Sequence, residues 1–487
     1  MLWVALELPA LPLQIAERAG ASSDALVISE GPAQRPIVSC ANAEAKAAGV
    51  REGQAVAAAK ALAGELRVLA RDPAAERETL EGLAAWAGQF TPMVAVEAQG
   101  IVLEIESCLR LFNGHAQLTA AILRGIRNLG FHAAIGVAPT ALAARIIARA
   151  EAQGLQVRSC LTVEELRSRL AELPLFLFDW PEATLARLTD LGVLRVKDIL
   201  ELPAEGIARR FGPEIVLALD RLVGLQCDPR VPYVPPPKFR SRIELPAEAD
   251  GVEALLFPLR RLLVQFEGYA RGRGAGAQRL SLTLEHGRKS RTHLGIDFAS
   301  PEREADFIIS IAREKLGRLK LASPTIALAL RVDALLAYTP RTAAWLPGAQ
   351  EQAIGRERLL ERLAARLGRD RVFGIAVASD HRPESNWERI HDSGFGARPQ
   401  TPASATPGPR PIWLLNRPQR LISDSGTPRL QGHLGLAAGP ERIEAGWWDG
   451  KEVSRDYYVA LNPHGERYWI YREHRDPDGW YLHGVFA

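Results

Sequence analysis

The chain has 487 residues, of which 47% are hydrophobic and 24% charged, and its formal net charge is +3. This length is too great for one hydrophobic core and predicts roughly three to five domains of a soluble globular protein. The near balance of charge neither requires nor excludes nucleic acid, whereas the absence of any apolar run near ~18 residues excludes a membrane-spanning protein.

The four cysteines are far apart and form no CxxC pair, which predicts free thiols in a reducing cytoplasm. The first residues are apolar but include Glu7 and Pro9 and lack a basic leader. They predict a buried strand and a turn rather than a signal peptide. We therefore expect a cytoplasmic protein without membrane contact.

Residues 1–160 alternate between short apolar runs and segments with apolar residues every three to four positions, which predicts a mixed sheet backed by helices. The predicted strands are Leu2–Leu8, Val94–Ala98, Ile101–Ile105 and Ala133–Val137. The predicted helices are Leu11–Ala19, Gln54–Ala63, Ala75–Gln89, Ala116–Asn128 and Ala141–Gly154. A small helical insertion is expected near residues 20–72.

Residues 161–231 are predicted to be helical, with glycines at two turns. Gly192 and Val193 lie in the first turn, and Gly212 in the second, just after Arg209 and Arg210. Both turns are typical of the helix-hairpin-helix motif, in which backbone N–H groups at a helix start bind phosphate without reading sequence. The alternative is an ordinary helix–turn–helix corner.

Beyond the proline-rich linker at 232–238, residues 239–338 predict the order β-α-β-β-α-β, a ferredoxin-like succession with an antiparallel sheet. Residues 339–411 predict loops around one charged helix, followed by a low-complexity linker. Residues 412–487 predict a small aromatic-rich β module with a hairpin turn at Asn462–Gly465. We expect most of its aromatic residues to be core, and any exposed ones to bind a partner protein.

Residues 1 to about 335 resemble the Y-family translesion DNA polymerases. The local matches are Ala45–Gly53, Ile135–Thr140 and Leu191–Pro203, which occur in the family's order. The resemblance implies a palm at 1–160 with a fingers insertion at about 20–72, a thumb at 161–231 and a little finger at 239–338. Over its whole length the chain resembles the polymerase-like subunit of a bacterial mutagenesis complex induced by DNA damage.

The departures from the family's pattern fall on its chemistry. The acidic metal-binding positions of the family correspond here to Ala5, Gln99 and Gly100. Nucleotidyl transfer needs carboxylates to hold two Mg²⁺ ions, so these positions predict no metal site, no cofactor and no catalytic residue. Positions for the triphosphate and for the sugar gate have changed as well, to Ala43, Lys46, Thr140, Ala141 and Ala10. The alternative is an active polymerase whose relocated metal site uses Glu7 and Glu104.

DNA contact is also expected in the little finger. Lys238, Arg240 and Arg242 alternate along the strand that enters this domain. Arg279, Lys289 and Arg291 lie on or beside a hairpin. Such a face would neutralise phosphates without reading bases. The alternative is a solvated strand face.

The family resemblance also implies a sliding-clamp peptide after the little finger. The corresponding segment contains Thr342, Ala344, Trp345 and Leu346, and the two large apolar residues could fill a clamp pocket. The alternative is a loop that packs on the little finger. Leu173–Phe176 is a second apolar candidate, expected to be core.

These observations predict a non-catalytic adaptor that binds primer–template or single-stranded DNA and the sliding clamp. The resemblance implies two further partners, a replicative-type error-prone polymerase and a RecA-like accessory protein, in translesion synthesis during the SOS response to DNA damage. It also implies association with the nucleoid. Besides the active polymerase, the remaining alternative is a module that binds DNA ends without clamp contact.

Overall fold

The computed structural model describes residues 1–18, 24–287, 290–319, 321, 323–338, 349–390, 409–476 and 479–486, without the side chains of 349–354, 357 and 369. The chain divides into two compact units, Met1–Arg362 and Leu363–Ala487. Among the described residues, no helix is both long and apolar enough to cross a membrane.

The first unit contains the palm-like, thumb-like and little-finger-like segments. Its strands are β1 (Trp3–Glu7), β2 (Leu26–Glu30), β3 (Ile37–Ala41), β4 (Arg67–Ala70), β5 (Val94–Val96), β6 (Gly100–Glu104), β7 (Ala134–Ala138), β8 (Phe239–Ala249), β9 (Ala275–His286), β10 (Arg291–Glu302), β11 (Thr325–Val332) and β12 (Leu336–Ala337). Its helices are α1 (Leu11–Glu17), α2 (Ala43–Ala47), α3 (Val56–Leu62), α4 (Pro73–Ala87), α5 (His115–Asn128), α6 (Ala141–Ala152), α7 (Val163–Leu170), α8 (Glu182–Asp190), α9 (Val196–Leu200), α10 (Ala204–Phe211), α11 (Pro213–Leu222), α12 (Val252–Arg271) and α13 (Ala305–Gly317); α14 (Ala349–Leu367) spans the boundary between the units.

The palm sheet has the order β5-β6-β1-β7, and its pairs are antiparallel. Successive side chains of a strand point to opposite faces. In β1, Val4 and Leu6 therefore pack into a core with α4 and α5, whereas Trp3 and Ala5 pack into a second core with α6. The four predicted strands and five predicted helices of residues 1–160 are confirmed, with shifts of one or two residues at their ends.

The prediction of a small helical insertion near 20–72 is corrected, because the insertion also contains a sheet. Strands β2, β3 and β4 form a small mixed sheet in which β2 pairs antiparallel with β3 and parallel with β4. Helices α2 and α3 accompany the sheet. The short apolar runs that form these strands cannot be told from buried helix segments by periodicity alone.

The thumb-like segment consists of α7 to α11 and shares a hydrophobic core with the palm. One continuous cluster of buried side chains runs from Trp3 and Ala5 in β1, through α6, to Leu219 and Leu222 in α11. Because core packing resists sliding and bending, the thumb and this face of the palm form a single packed body.

The little finger follows the predicted order β8-α12-β9-β10-α13-β11, and its sheet is antiparallel. Across the sheet the strands run β10-β9-β11-β8. The term ferredoxin-like therefore describes the succession of strands and helices along the chain, not the order of the strands across the sheet. Helix α12 lies close against α4 of the palm, since a Cβ atom added at Gly268 would lie 2.2 Å from the Cδ1 atom of Trp86.

The second unit is the predicted β-rich module, extended by hairpins that the sequence did not predict. Its strands are β13 (Gly374–Val377), β14 (Trp387–Ile390), β15 (Trp413–Arg420), β16 (Ile422–Asp424), β17 (Thr427–Arg429), β18 (Gly435–Ala445), β19 (Val453–Leu461), β20 (Arg467–Glu473) and β21 (Trp480–Val485). The main sheet has the order β15-β21-β20-β19-β18. The predicted hairpin is confirmed as β19–β20, with Tyr457 opposite Tyr471.

Most aromatic residues of this module are core, as predicted. The side chains of Tyr457, Trp469 and Trp480 are buried, and the rings of Tyr457 and Trp469 stack with centroids 4.1 Å apart. Trp413, Trp447 and Trp448 are exposed instead, with 70%, 77% and 54% of their surface accessible.

Candidate nucleic-acid interface

The register of the palm sheet determines which side chains lie beside the positions that correspond to the family's metal ligands. Glu7 of β1 lies opposite Gly100 of β6, whereas Ala5 lies opposite Val102. Ala5 is buried in the core shared with the thumb. The prediction that groups Ala5 with Gln99 and Gly100 is therefore corrected: the side chain next to Gln99 and Gly100 is Glu7.

The structure around Gly100 leaves no room for a side chain. A Cβ atom at this position would lie 1.9 Å from the carbonyl oxygen of Leu6, on the neighbouring strand. Gln99 is exposed at the β5–β6 turn, and its carbonyl accepts a hydrogen bond of 2.9 Å from the N–H of Leu8. A carboxylate at position 100 would therefore require the strands to separate.

Glu7 is buried and already has a cationic partner. Its Oε1 lies 3.3 Å from Nε of Arg149 on α6, and Arg149 also contacts Asp179 at 2.6 Å. Arg145, one turn earlier on α6, contacts Asp179 at 2.8 Å and Glu97 at 3.1 Å. Two guanidinium groups thus hold one carboxylate of the thumb-like segment against two carboxylates of the palm.

Burial and charge act in opposite directions on the two carboxylates that contact Arg149. Burial raises the pKa of Glu7, and the nearby charges of Arg149 and Arg145 only partly offset this. For Asp179 burial also opposes ionisation, but hydrogen bonds and charges from Arg149 and Arg145 outweigh it and lower the pKa. Asp179 is therefore the more strongly ionised partner.

The ion pairs continue to the end of the thumb-like segment. Arg230 contacts Glu97 at 2.9 Å and Asp228 at 2.6 Å. The other oxygen of Asp228 accepts a hydrogen bond of 2.8 Å from the N–H of Leu142, in the first turn of α6, where a helix favours an anion. We refer to this network as the arginine clasp; its members are Glu7, Glu97, Arg145, Arg149, Asp179, Asp228 and Arg230.

A relocated metal site at Glu7 and Glu104 is contradicted by the register. Glu104 lies opposite Trp3, four residues along β1 from Glu7, and a strand advances about 3.4 Å per residue. The two carboxylates are thus anchored about 14 Å apart along the strand, too far to share ions that lie about 4 Å apart in two-metal sites. Across the described residues, no group of three or more His, Cys, Asp or Glu could hold a metal, and the side chains beside Glu7 do not fit the two Mg²⁺ ions that the family implies.

The other departures from the family's pattern have structural roles here. The hydroxyl of Thr140 caps α6 by accepting a hydrogen bond from the N–H of Ala143. Lys46 is exposed and pairs with Glu52 at 3.2 Å. An exposed pair of this kind contributes little to stability, so Lys46 could exchange Glu52 for another anion.

At the first thumb turn, the N–H groups predicted to bind phosphate have hydrogen-bond acceptors within the chain. The N–H groups of Gly192 and Val193 donate to the carbonyls of Thr189 and Leu188, at the end of α8. At the start of α9, the N–H groups of Leu194 and Arg195 both donate to Oδ2 of Asp198, at 3.0 and 2.8 Å. A side-chain carboxylate therefore occupies the place that a phosphate would take.

The second thumb turn retains the predicted features. Arg209 and Arg210 are exposed in the last turn of α10, and within the described part of the chain neither guanidinium forms an ion pair. Gly212 has a φ of 99° and joins α10 directly to α11, a conformation that favours glycine. Two unpaired arginines thus lie beside the N-terminal end of α11, where the helix dipole also favours anions.

The little-finger face is more neutral than its sequence suggests. Four of the six predicted cations have a carboxylate partner. Arg242 contacts Glu285 and Glu244, Arg279 contacts Asp297, Arg291 contacts Glu285, and Lys238 contacts Asp333. Arg240 forms no ion pair with the described residues, and Lys289 lies outside them. Arg331, which the sequence analysis did not single out, lies opposite Arg240 on β11 and extends the face. We therefore expect Arg240 to be the most available phosphate ligand of this face.

The predicted clamp-binding residues Thr342, Ala344, Trp345 and Leu346 lie outside the described residues. The second candidate, Leu173–Phe176, is mostly core as expected: Leu173 and Leu175 are buried in the palm–thumb core. Phe176 is the exception, with 61% of its surface exposed.

Comparison with known proteins agrees with this architecture. Residues 13–149 match the impB/mucB/samB family. The chain is 28% identical over 475 residues to Protein ImuB from two strains of Caulobacter vibrioides, with 90% of this chain and 100% of the relative covered. The chain is therefore similar to Protein ImuB over 90% of its length. The predicted relationship to the Y-family polymerases is thereby confirmed.

Two other kinds of relative are more distant from this ImuB-like chain. DNA polymerase IV from Desulfatibacillum aliphaticivorans is 28% identical over 201 residues, which cover 40% of the chain and 50% of that relative. Among solved structures, the Y-family chimera Dbh-Dpo4(243-245)-Dbh is 18% identical with a TM-score of 0.40, covering 69% of this chain and 100% of its own. DinB from Sulfolobus solfataricus is 17% identical with a TM-score of 0.38, covering 70% and 100%.

Several functional side chains escaped sequence reasoning although the sequence carries a signal for some. Arg145 and Arg149 are four residues apart and therefore share a helix face. Asp198 is three residues after Arg195, the spacing at which a carboxylate in the first turn reaches back to the N-cap N–H, as it does here at 2.8 Å. No local sequence pattern identifies Asp179, because its partners Arg145 and Arg149 are distant in sequence and only the fold brings them together.

Proposed function

We propose that this ImuB-like chain is a non-catalytic, polymerase-like adaptor in translesion DNA synthesis. The observation that carries the proposal is the arginine clasp: the acidic side chain beside Gln99 and Gly100 is Glu7, and it is neutralised by Arg149 at 3.3 Å. Two-metal catalysis needs carboxylates that are free to bind Mg²⁺. A carboxylate held by an arginine, next to a glycine that cannot carry a side chain, does not supply them.

DNA binding in this proposal rests on the second thumb turn and on Arg240 of the little finger. Unpaired arginines contact phosphates without sequence preference, and each contact adds to the dependence of affinity on salt. The paired cations of the little finger contribute less, because DNA phosphates would have to displace their carboxylates.

The partners follow from the family resemblance. The chain would bind the sliding clamp through the segment containing Trp345 and Leu346, and would bring a replicative-type error-prone polymerase and a RecA-like accessory protein to damaged DNA. Recruitment of a separate polymerase is the role that a polymerase-like chain without its own catalysis can fill.

Primer extension by the purified chain tests the absence of catalysis. With Mg²⁺ or Mn²⁺ we expect no template-dependent product. Incorporation that disappears in the Glu7→Ala variant would overturn the proposal in favour of an active polymerase, whereas incorporation that survives Glu7→Ala indicates a contaminating enzyme.

DNA affinity measured at several salt concentrations tests the binding surface. The variant Arg209→Gln/Arg210→Gln should bind more weakly and lower the salt slope by about one unit per lost phosphate contact. The matched control is Arg260→Gln/Arg313→Gln, because these exposed arginines are paired with Asp306 and Glu253 on the helical side of the little finger. If the two variants bind DNA with equal affinity, the DNA-binding surface does not include Arg209 and Arg210.

Clamp binding distinguishes the adaptor from a module that binds DNA ends alone. The variant Trp345→Ala/Leu346→Ala should lose about a few hundredfold in clamp affinity, at roughly 2 kcal/mol per anchor, with DNA binding unchanged. Phe176→Ala is the control for the second apolar candidate. Loss of clamp binding only in Phe176→Ala would move the site to the thumb, and absence of clamp binding in the unmodified chain would favour the end-binding module.

A further inference from the structure

The arginine clasp joins the palm to the thumb-like segment at two points, between α7 and α8 and after α11. Asp179 precedes α8, and it contacts Arg145 and Arg149 at 2.8 and 2.6 Å. Asp228 follows α11, and its carboxylate contacts Arg230 at 2.6 Å and the N–H of Leu142 at 2.8 Å. The intervening helices are thus held where they leave the palm and where they return.

Helix α6 is the common attachment for these contacts. It carries Arg145 and Arg149 on one face, while Thr140 at its start donates a hydrogen bond of 3.2 Å to the carbonyl of Leu222 at the end of α11. Arg149 also donates a hydrogen bond of 3.0 Å to the carbonyl of Leu177, just before Asp179. The side chains of Arg145 and Arg149 are only 11% and 12% exposed, so solvent screens these pairs far less than surface pairs.

The side chains at the position that the family uses for Mg²⁺ are therefore of a different kind here. Its residues do not fit the metal, and arginines from α6 neutralise the palm carboxylates. The same arginines reach Asp179 of the thumb, so neutralisation of the palm and fixation of the thumb use the same side chains.

We propose that the arginine clasp holds the thumb on the palm in the absence of any metal ion, so that the DNA-binding turn at Arg209 and Arg210 is presented by a body that is already rigid. The link to DNA rests on the proposed function. The fixation of the thumb does not, and it is measured independently of DNA and of catalysis.

Hydrogen exchange of the full chain without DNA provides the test. The decisive variant is Asp179→Asn, because Asp179 is 59% exposed and Arg145 and Arg149 keep Glu97 and Glu7 as partners when its charge is removed. We expect amides of residues 171–190 to exchange about tenfold faster, the factor for loss of about one charge-assisted hydrogen bond. Amides of β1 and β6 should be unaffected. Addition of EDTA or Mg²⁺ to the unmodified chain should change nothing.

Two further variants separate the clasp from general destabilisation. Arg149→Gln should loosen the same residues and, in the double variant with Asp179→Asn, should add less than the sum of the single effects. Arg77→Gln, which removes an exposed pair with Glu81, is the control and should leave residues 171–190 unchanged. If Arg149→Gln fails to fold, Asp179→Asn still decides.

Unchanged exchange at residues 171–190 in folded Asp179→Asn overturns the proposal, as does protection of the thumb that depends on Mg²⁺ in the unmodified chain. Faster exchange in Asp179→Asn together with primer extension by the unmodified chain would support the clasp and reject the non-catalytic function. The two proposals therefore fail on different measurements.

Discussion

Restoring a carboxylate at position 100 should damage the palm rather than restore a polymerase. In the Gly100→Glu variant, the first atom of the new side chain would lie 1.9 Å from the carbonyl oxygen of Leu6. Ordinary contacts of this kind are about 3.5 Å or longer, so the strands must shift by more than 1 Å. The shift would strain the pairing of Glu7 with Gly100.

The expected loss of stability at position 100 has two causes, the contact with the backbone and the burial of a charge. Overpacking in a well-packed core costs about 1–3 kcal/mol and sometimes more, and because the obstacle is backbone we expect about 3 kcal/mol for Gly100→Ala. Gly100→Glu should cost more, because its carboxylate would be buried opposite Glu7. The matched control Gln99→Asp changes an exposed side chain and should stay within about 0.5 kcal/mol.

Hydrogen exchange of β1 and β6 is the appropriate assay, because unfolding of a multidomain chain does not give one well-defined free energy. A loss of about 3 kcal/mol corresponds to about a hundredfold loss of protection. Full protection of these strands in Gly100→Ala would refute the reasoning from backbone contact. Template-dependent synthesis by Gln99→Asp/Gly100→Glu would refute the wider conclusion that the site cannot be rebuilt by replacing acids.

The remaining predictions concern the thumb, the little finger and the C-terminal module. Asp198→Ala should loosen the start of α9, because the N–H groups of Leu194 and Arg195 lose their acceptor; faster hydrogen exchange of residues 194–200 would show this. Arg240→Gln should weaken DNA binding more than Arg242→Gln, because Arg242 is already paired with Glu285; fluorescence anisotropy with labelled single-stranded DNA would compare them. Burial lowers the pKa of His483, partly opposed by Glu384. Because the unfolded chain then takes up a proton at a higher pH than the folded module, the free energy of unfolding should be highest above pH ~6.5 and fall as the pH drops below it. Melting at pH 7.5 and 5.5 should show this loss, and His483→Gln should reduce it.

The sequence predicts the framework of the palm well because its signal is local. The strand predicted at Ala133–Val137 is found at Ala134–Ala138, and the helix predicted at Ala116–Asn128 is found at His115–Asn128. Alternation and helical spacing are properties of a few neighbouring residues. The insertion fails where the same signal is ambiguous, since Leu26–Glu30 is too short to show a period.

The candidate site is predicted less well because its chemistry depends on pairs that are distant in sequence. Arg242 and Glu285 are 43 residues apart, and only the register through β11 brings them together. The sequence shows the cations of the little finger but not the carboxylates that neutralise them. Likewise the first thumb turn has the glycine of a phosphate site, and only the structure shows that Asp198 takes its N–H groups.

The features around Glu7 depend on one another, and this bears on how such a chain could regain metal chemistry. Removal of Arg149 alone would leave a buried carboxylate unpaired, which costs about 3–5 kcal/mol in buried ion pairs, and would release Asp179 of the thumb. Addition of a carboxylate at position 100 alone would meet the backbone of Leu6. Each single step toward a metal site therefore destabilises the palm or loosens the thumb before any metal can bind. Under the proposed function, a chain that binds damaged DNA and partner proteins needs a fixed thumb, so the residues that hold the thumb also oppose a return of metal binding.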